Sequence, residues 1–304
     1  MRLTVLAGDV GGTNTRLALF EGEAERLELS VIEVFPSREF VNLDAIVRKF
    51  MKSTGARADF ACFGVAGPVK EGICEAPNLA WVVDSTELAK DLGLESVALI
   101  NDLEANAYGI DVLGEDDFTV LNSGAAVPGG NRALISAGTG LGEAGLHWLG
   151  DRYRPVPTEG GHADFSPRNK LETELLLYLL KRYERVSYER VVSGPGIFNI
   201  YSFLRDTGRC EEPGWLAELL REEDPPAVIS RVALEGRSEL CMQALDLFVS
   251  LYAAEAGNLA LRFLATGGLF VGGGIAPRII EKLKGPSFMT SFVAKGRMKS
   301  LLEA

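Results

Sequence analysis

Histidine and cysteine are scarce in this chain of 304 residues. There are two histidines, His147 and His162, and four cysteines, Cys62, Cys74, Cys210 and Cys241. No two cysteines form a Cys-x-x-Cys pair, which argues against a structural zinc site, and scattered thiols suit a reducing cytosol. Positive charge is short as well: 31 Lys and Arg stand against 42 Asp and Glu, for a net charge of −11. That balance argues against the basic face that a nucleic acid requires. An anionic ligand would have to be met by local cations, a metal or oriented N–H groups. No uninterrupted apolar run reaches the length of a membrane helix. The apolar part of Met1 to Asp9 is too short for a signal peptide. A Walker A lysine loop is missing, as is a Gly-x-Gly-x-x-Gly opening a helix, which disfavours the P-loop and dinucleotide folds. What remains is a globular composition, 47% apolar and 24% charged, able to bury a sizeable core in roughly two domains.

Against this background two Gly-Thr loops stand out. The first is Asp9-Val10-Gly11-Gly12-Thr13-Asn14-Thr15-Arg16, and the second is Ser136-Ala137-Gly138-Thr139-Gly140-Leu141-Gly142-Glu143-Ala144. Each follows an apolar run and leads into another apolar or alternating stretch, so each reads as strand, tight turn, strand. Glycines there permit positive φ and close approach of backbone N–H groups to a ligand. Two such loops facing each other suit a polyphosphate, and Asp9 suits Mg²⁺, which prefers oxygen ligands and retains water. Either loop alone is equally a plain hairpin turn.

Residues 1–112 read as a small α/β domain. Strands are expected at 3–9, 15–21, 28–35, 58–66, 69–75 and 96–101, and helices at 40–53, 85–92 and 102–112. Phe40, Val41, Ile46, Val47 and Phe50 form one helical face. Residues 113–304 read as a second, larger α/β domain, with strands near 117–121, 132–137 and 143–149 and mainly helix after 168. The longest helical pattern, from about Ser238 to Leu264, reads as a buried core helix. Gly272-Gly273-Gly274 follows an apolar strand and precedes a helix near Ala276-Pro277, offering a wall without side chains for a flat ring.

Three polar clusters carry candidate chemistry. Asn101-Asp102 ends the strand Val97 to Ile100, where ligands bind in α/β sheets. Asp102 is a helix cap or a general base for a hydroxyl attacking phosphorus. In Thr158-Glu159-Gly160-Gly161-His162, the two glycines let Glu159 and His162 converge on a small polar ligand, although a lone loop histidine is often structural. Glu189-Arg190-Val191-Val192-Ser193-Gly194-Pro195-Gly196 is an anion platform or an ordinary helix start. Asn78-Leu79-Ala80-Trp81 reads either as a cleft segment or as an ordinary packed tryptophan.

Taken together and in this order, these segments resemble the bacterial-type glucokinases of the hexokinase–actin–Hsp70 superfamily. The matching stretches are Gly8 to Asn14, Ile100 to Asp102, Ala137 to Gly142, Glu159 to His162, Glu189 to Gly196 and Gly272 to Arg278. The resemblance implies two ribonuclease-H-like, actin/hexokinase-type α/β domains flanking a cleft that closes on its substrates. It implies ATP-dependent phosphorylation of glucose to glucose 6-phosphate, the first step of glycolysis, in the cytoplasm. By resemblance Asn101, Asp102, Glu159, His162 and Glu189 fall on glucose-binding positions, with Asp102 the base for the 6-hydroxyl. Gly8, Asp9, Val10, Gly11, Gly12 and Thr13, with Gly138 and Thr139, fall on the phosphate loops. Gly272 and Gly273 fall on the adenosine side, and Asp9 lies near Mg²⁺, reached through water. Neither a nucleic-acid nor a membrane partner is implied, and a homodimer is left open. The cysteine-rich zinc motif of the related repressor–kinase group is absent, as is its helix-turn-helix domain. Family members continue past a stretch like Lys295-Gly296-Arg297-Met298 into a further strand and helix that return to the small domain, whereas this chain stops at Ala304. The expected consequence is weaker closure or stability. The alternatives are a catalytically weak sugar sensor of the same fold and an ATPase of the superfamily acting on no sugar; Glu159 and His162 speak against the second.

Overall fold

The computed structural model describes residues 2–23, 26–76 and 79–304. It divides into two compact units, Met1–Ile110 and Asp111–Ala304. Asn78 lies outside the described residues.

The first unit is built from β1 (Leu3–Val10), β2 (Asn14–Glu23), β3 (Arg26–Pro36), α1 (Leu43–Thr54), β4 (Phe60–Val65), β5 (Val69–Lys70), β6 (Ile73–Glu75), β7 (Val82–Asp84), α2 (Ser85–Leu92), β8 (Ala98–Asn101) and α3 (Asp102–Gly109). Its main sheet has the order β3-β2-β1-β4-β8. The first three strands form an antiparallel meander, and β1, β4 and β8 run parallel. α1 starts where Asn42 accepts the Ala45 N–H at 3.0 Å and ends at Gly55 in the left-handed region. It buries Leu43, Ile46, Val47 and Phe50. Val41 is not on that face: it precedes the helix and is 83% exposed. Trp81 is buried in the core of this unit. The expected strand at 69–75 is two short strands, because Glu71 and Gly72 both take positive φ and turn the chain back.

The second unit comprises β9 (Arg132–Ala137), β10 (Leu141–Trp148), β11 (Tyr153–Thr158), α4 (Lys170–Leu179), α5 (Gly194–Asp206), α6 (Gly214–Glu222), α7 (Pro225–Leu234), α8 (Glu239–Phe263), β12 (Gly268–Gly272), α9 (Ile280–Leu283), α10 (Pro286–Phe292) and α11 (Lys299–Glu303). Its sheet order is β11-β10-β9-β12, with the first three strands antiparallel and β12 parallel to β9. The leading strand of each unit therefore has an antiparallel hairpin partner on one side and a parallel crossover strand on the other. Each Gly-Thr loop is the turn of that first hairpin. α8 is long and apolar enough to cross a membrane by length and composition, but 78% of its apolar window is buried inside the protein. It is the core helix of this unit.

Two expectations differ here. Residues 117–121 are not a strand: Glu115–Asp117 form a 3₁₀ turn in which the Asp117 carboxylate accepts the Gly114 N–H at 2.9 Å. Val120, in the expected strand, is 68% exposed. Conversely β11 was not expected, because Pro155 and Pro157 mask its pattern. It lies at a sheet edge, where a missing N–H costs no ladder bond.

Candidate active site

The first unit places its candidate residues along one edge of its sheet. Asp9 is opposite Gly64 across the parallel β1–β4 pair, and Val65 is opposite Asn101 across β4–β8. Asp9 and Asn101-Asp102 therefore share the carboxyl end of the sheet. Two strand spacings of roughly 4.8 Å each separate their strands. Gly8 is small because a Cβ there would collide with the Phe63 ring. In the loop, the Gly11 N–H donates to Asn14 O at 3.0 Å. Ser37 braces the turn: its hydroxyl donates to Gly11 O at 2.7 Å and its N–H donates to Thr13 O at 2.9 Å. Val10 contributes backbone only, since its side chain is buried in the core, whereas Thr13 is exposed.

Asp9 carries a partner that the sequence reading missed. Arg16 Nη1 donates to Asp9 Oδ2 at 2.8 Å, with both side chains more than half exposed. The two are cross-strand partners in the β1–β2 hairpin. Counting symmetrically outward from the turn would have found them. Among the described residues no group of three or more His, Cys, Asp or Glu could hold a metal. Asp9 offers a single exposed carboxylate, one oxygen of which is paired with Arg16, so a Mg²⁺ there would need its remaining oxygen ligands from substrate and water.

At the end of β8 the two neighbouring residues divide the work. Asn101, not Asp102, is the N-cap of α3: its Oδ1 accepts the N–H groups of Leu103 at 2.9 Å and Glu104 at 3.4 Å. Its amide also donates to Gly67 O at 3.1 Å. Asp102 is half-buried at the first helical position, where its Oδ1 accepts the Leu103 N–H at 2.8 Å.

The second unit gathers the remaining residues. The Gly138 N–H donates to Gly140 O at 2.9 Å and the Gly194 N–H donates to Gly138 O at 2.8 Å, so the second Gly-Thr loop lies against the start of α5. Ser193 caps that helix, its hydroxyl accepting the Gly196 N–H at 3.0 Å. Gly273 crosses close to the end of β9. A Cβ there would lie 2.7 Å from Ala137 C, and its φ of 85° belongs to the left-handed region. Gly272 pairs with Ser136 in the β9–β12 ladder. The buried Tyr252 hydroxyl accepts the Ala137 N–H at 3.2 Å and lies 3.2 Å from Gly272 O, locking the two strand ends together. The glycines of the two Gly-Thr loops, Gly11, Gly12, Gly138 and Gly140, do not take the expected positive φ. A Cβ at Gly138 would meet nothing within 4 Å, which leaves the backbone open to a ligand, whereas one at Gly140 would lie 2.6 Å from Glu189 Oε2.

Glu159, His162 and Glu189 converge. His162 Nε2 is 4.0 Å from Glu159 Oε2, and His162 Nδ1 is 4.0 Å from Glu189 Oε1. Glu189 Oε2 in turn accepts the Leu141 N–H at 3.0 Å. One carboxylate thus touches both the polar cluster and the second Gly-Thr loop. Glu143 and Glu255, which sequence reading did not single out, lie buried beneath this cluster, and both face Arg262, whose side chain is 44% exposed.

A family model described as Glucokinase matches residues 6–304 of the chain. This chain belongs to the glucokinase family. Among its relatives, the glucokinase of Nostoc punctiforme is 43% identical over 98% of this chain and 92% of that protein. The crystal structure of a glucokinase from an Antarctic psychrotroph shares 32% identity, with a TM-score of 0.85 over 99% of this chain and 92% of that one. The structure of Balamuthia mandrillaris glucokinase in complex with glucose, at 23% identity and a TM-score of 0.77, covers 99% of this chain and 88% of that one and shares the fold. The glucokinase family model spans every described segment named above, from Gly8 to Gly274.

Proposed function

We propose that this protein is an ATP-dependent glucose kinase that moves the γ-phosphoryl group of ATP to the 6-hydroxyl of glucose. Asp102 is the general base. It takes the proton from the hydroxyl as oxygen attacks phosphorus, while the bridging oxygen leaves with ADP. Asn101, Glu159, His162 and Glu189 pair the other sugar hydroxyls. The backbone of Gly8 to Thr13 and of Gly138-Thr139 receives the phosphates, and Gly272-Gly273 flanks the adenosine. Asp9 would hold Mg²⁺, which would supply neutralisation of phosphate charge. The four cysteines stay free thiols, in keeping with a reducing compartment.

Family membership supports the reaction class. One observation carries the sugar side: His162 stands 4.0 Å from both Glu159 and Glu189, a donor between two acceptors suited to vicinal hydroxyls. A coupled ADP-release assay over a panel of hexoses, with and without Mg²⁺, tests the reading. Turnover with glucose that requires ATP and Mg²⁺ is expected. Glucose binding by calorimetry without turnover would favour a sugar sensor instead.

A further inference from the structure

An ionic cluster of two buried carboxyls and a partly exposed arginine lies beneath the polar loop, and the reaction as proposed leaves it without a role. Glu143 on β10 and Glu255 on α8 are both buried. Arg262 Nη1 donates to Glu255 Oε1 at 2.7 Å and lies 3.4 Å from Glu143 Oε2, so two carboxyls face one guanidinium. Glu255 Oε2 accepts from the Asn258 amide at 2.8 Å. That amide also donates to the Tyr188 hydroxyl at 3.2 Å, and Asn258 Oδ1 accepts from Lys295 Nζ at 2.6 Å. Glu143 Oε1, by contrast, is buried with no hydrogen-bond partner among the described residues. An orphaned buried acceptor is costly, and a proton removes the difficulty by making the carboxyl a donor. Burial first, and then the negative charge of Glu255, push the Glu143 carboxyl up to about 8, against the pull of Arg262.

This cluster bears directly on the sugar loop. A Cβ at Gly160 would come 3.0 Å from Glu143 Cδ, so the loop backbone rests on the carboxyl itself. The Thr158 hydroxyl donates to Glu143 O at 2.9 Å and accepts the Gly160 N–H at 3.1 Å, tying the same residue to the start of the turn. Glu159 precedes Gly160, and His162 closes the 3₁₀ turn Gly160–His162.

We propose that Glu143 is a positioning residue, whose carboxyl packed under Gly160 holds the Glu159–His162 turn in the geometry that receives the sugar. The identity of the ligand rests on the glucose-kinase reading; the positioning itself does not. The charged and titratable groups around this carboxyl are Glu255 and Arg262 from α8. Beyond them stand Tyr188 from the 3₁₀ turn Tyr188–Arg190, and Lys295 with Arg168 near it; Glu159 and His162 lie on the loop above. When Glu143 loses its proton, two negative charges share Arg262, and the repulsion is relieved by moving the loop or admitting water.

The test combines imidazole NMR with kinetics. The chain has two histidines, so the His162 ring signals can be assigned with a His147→Gln variant. The native protein is expected to show an inflection of the His162 shifts near pH 8, apart from the ring's own titration, and a several-fold rise of KM for glucose over the same range with a smaller change in kcat. Glu143→Gln has nearly the same shape and no charge, so both pH effects should vanish while KM stays low. Glu255→Gln removes the like charge, so both inflections should move to lower pH; this second variant keeps the test open if the first folds poorly. Identical His162 and KM profiles in the native protein and a folded Glu143→Gln would overturn the proposal. A His162 inflection that responds to Glu143→Gln in a protein without glucose turnover would uphold the positioning and sink the glucose reading alone.

Discussion

Glu189 accepts the Leu141 N–H at 3.0 Å while standing 4.0 Å from His162, so one carboxylate joins the second Gly-Thr loop to the polar cluster. Glu189→Ala should therefore raise KM for both glucose and ATP. Glu159→Gln and His162→Ala, which lack that link, should raise KM for glucose by about 10- to 100-fold, the worth of one charged hydrogen bond, with ATP nearly unaffected. Calorimetric titration of each ligand separates the two outcomes. Equal effects of all three variants on ATP would dissolve the distinction.

Asp102 sits at the first position of α3, with Asn101 as the cap. Asp102→Asn keeps the shape and an oxygen for the Leu103 N–H but cannot take up a proton. Turnover should fall by on the order of 10²–10⁴ with little change in melting temperature or glucose affinity. Near-normal steady-state turnover would remove Asp102 from the role of base.

Two glycines should separate space from strain. Gly273→Ala forces a Cβ into the Ala137 backbone at a φ of 85°, and should cost about 1–3 kcal/mol in stability. A Cβ at Gly138 meets nothing within 4 Å, so Gly138→Ala should unfold like the parent in urea yet bind ATP more weakly. If Gly138→Ala keeps full ATP affinity, the second loop is a hairpin turn and no phosphate grip.

The raised Glu143 carboxyl has a consequence for stability. Its ordinary value is 4.5 and its folded value about 8, so between these the native state holds the extra proton. Its contribution is fully present below pH 4.5, falls as pH rises, and is lost above about 8. Melting curves should show a decline over this window that Glu143→Gln flattens. A parallel decline in both proteins would assign the loss to other groups.

Much of the site was legible because its parts are local. Gly8 to Asn14 and Ala137 to Leu141 are hairpin turns whose strands flank them in sequence, so composition and alternation were enough to find them. Asn101-Asp102 was found as a strand end, although the choice of Asn101 as cap came only from backbone geometry. β11 escaped because its prolines imitate a loop, and their tolerance depends on the strand lying at a sheet edge.

The sequence by itself determined the hairpin loops, the α1 face from Ile46 to Phe50, α8 as a buried helix and the order of the polar segments, because each depends on contacts a few residues apart. Tertiary structure alone decided that Gly273 meets Ala137, that Glu189 reaches Leu141, and that Glu143 meets Arg262, 119 residues away in the chain. A charge or a glycine carries no mark of its distant neighbour. Its meaning depends on which elements packing brings together and on how far burial removes it from water.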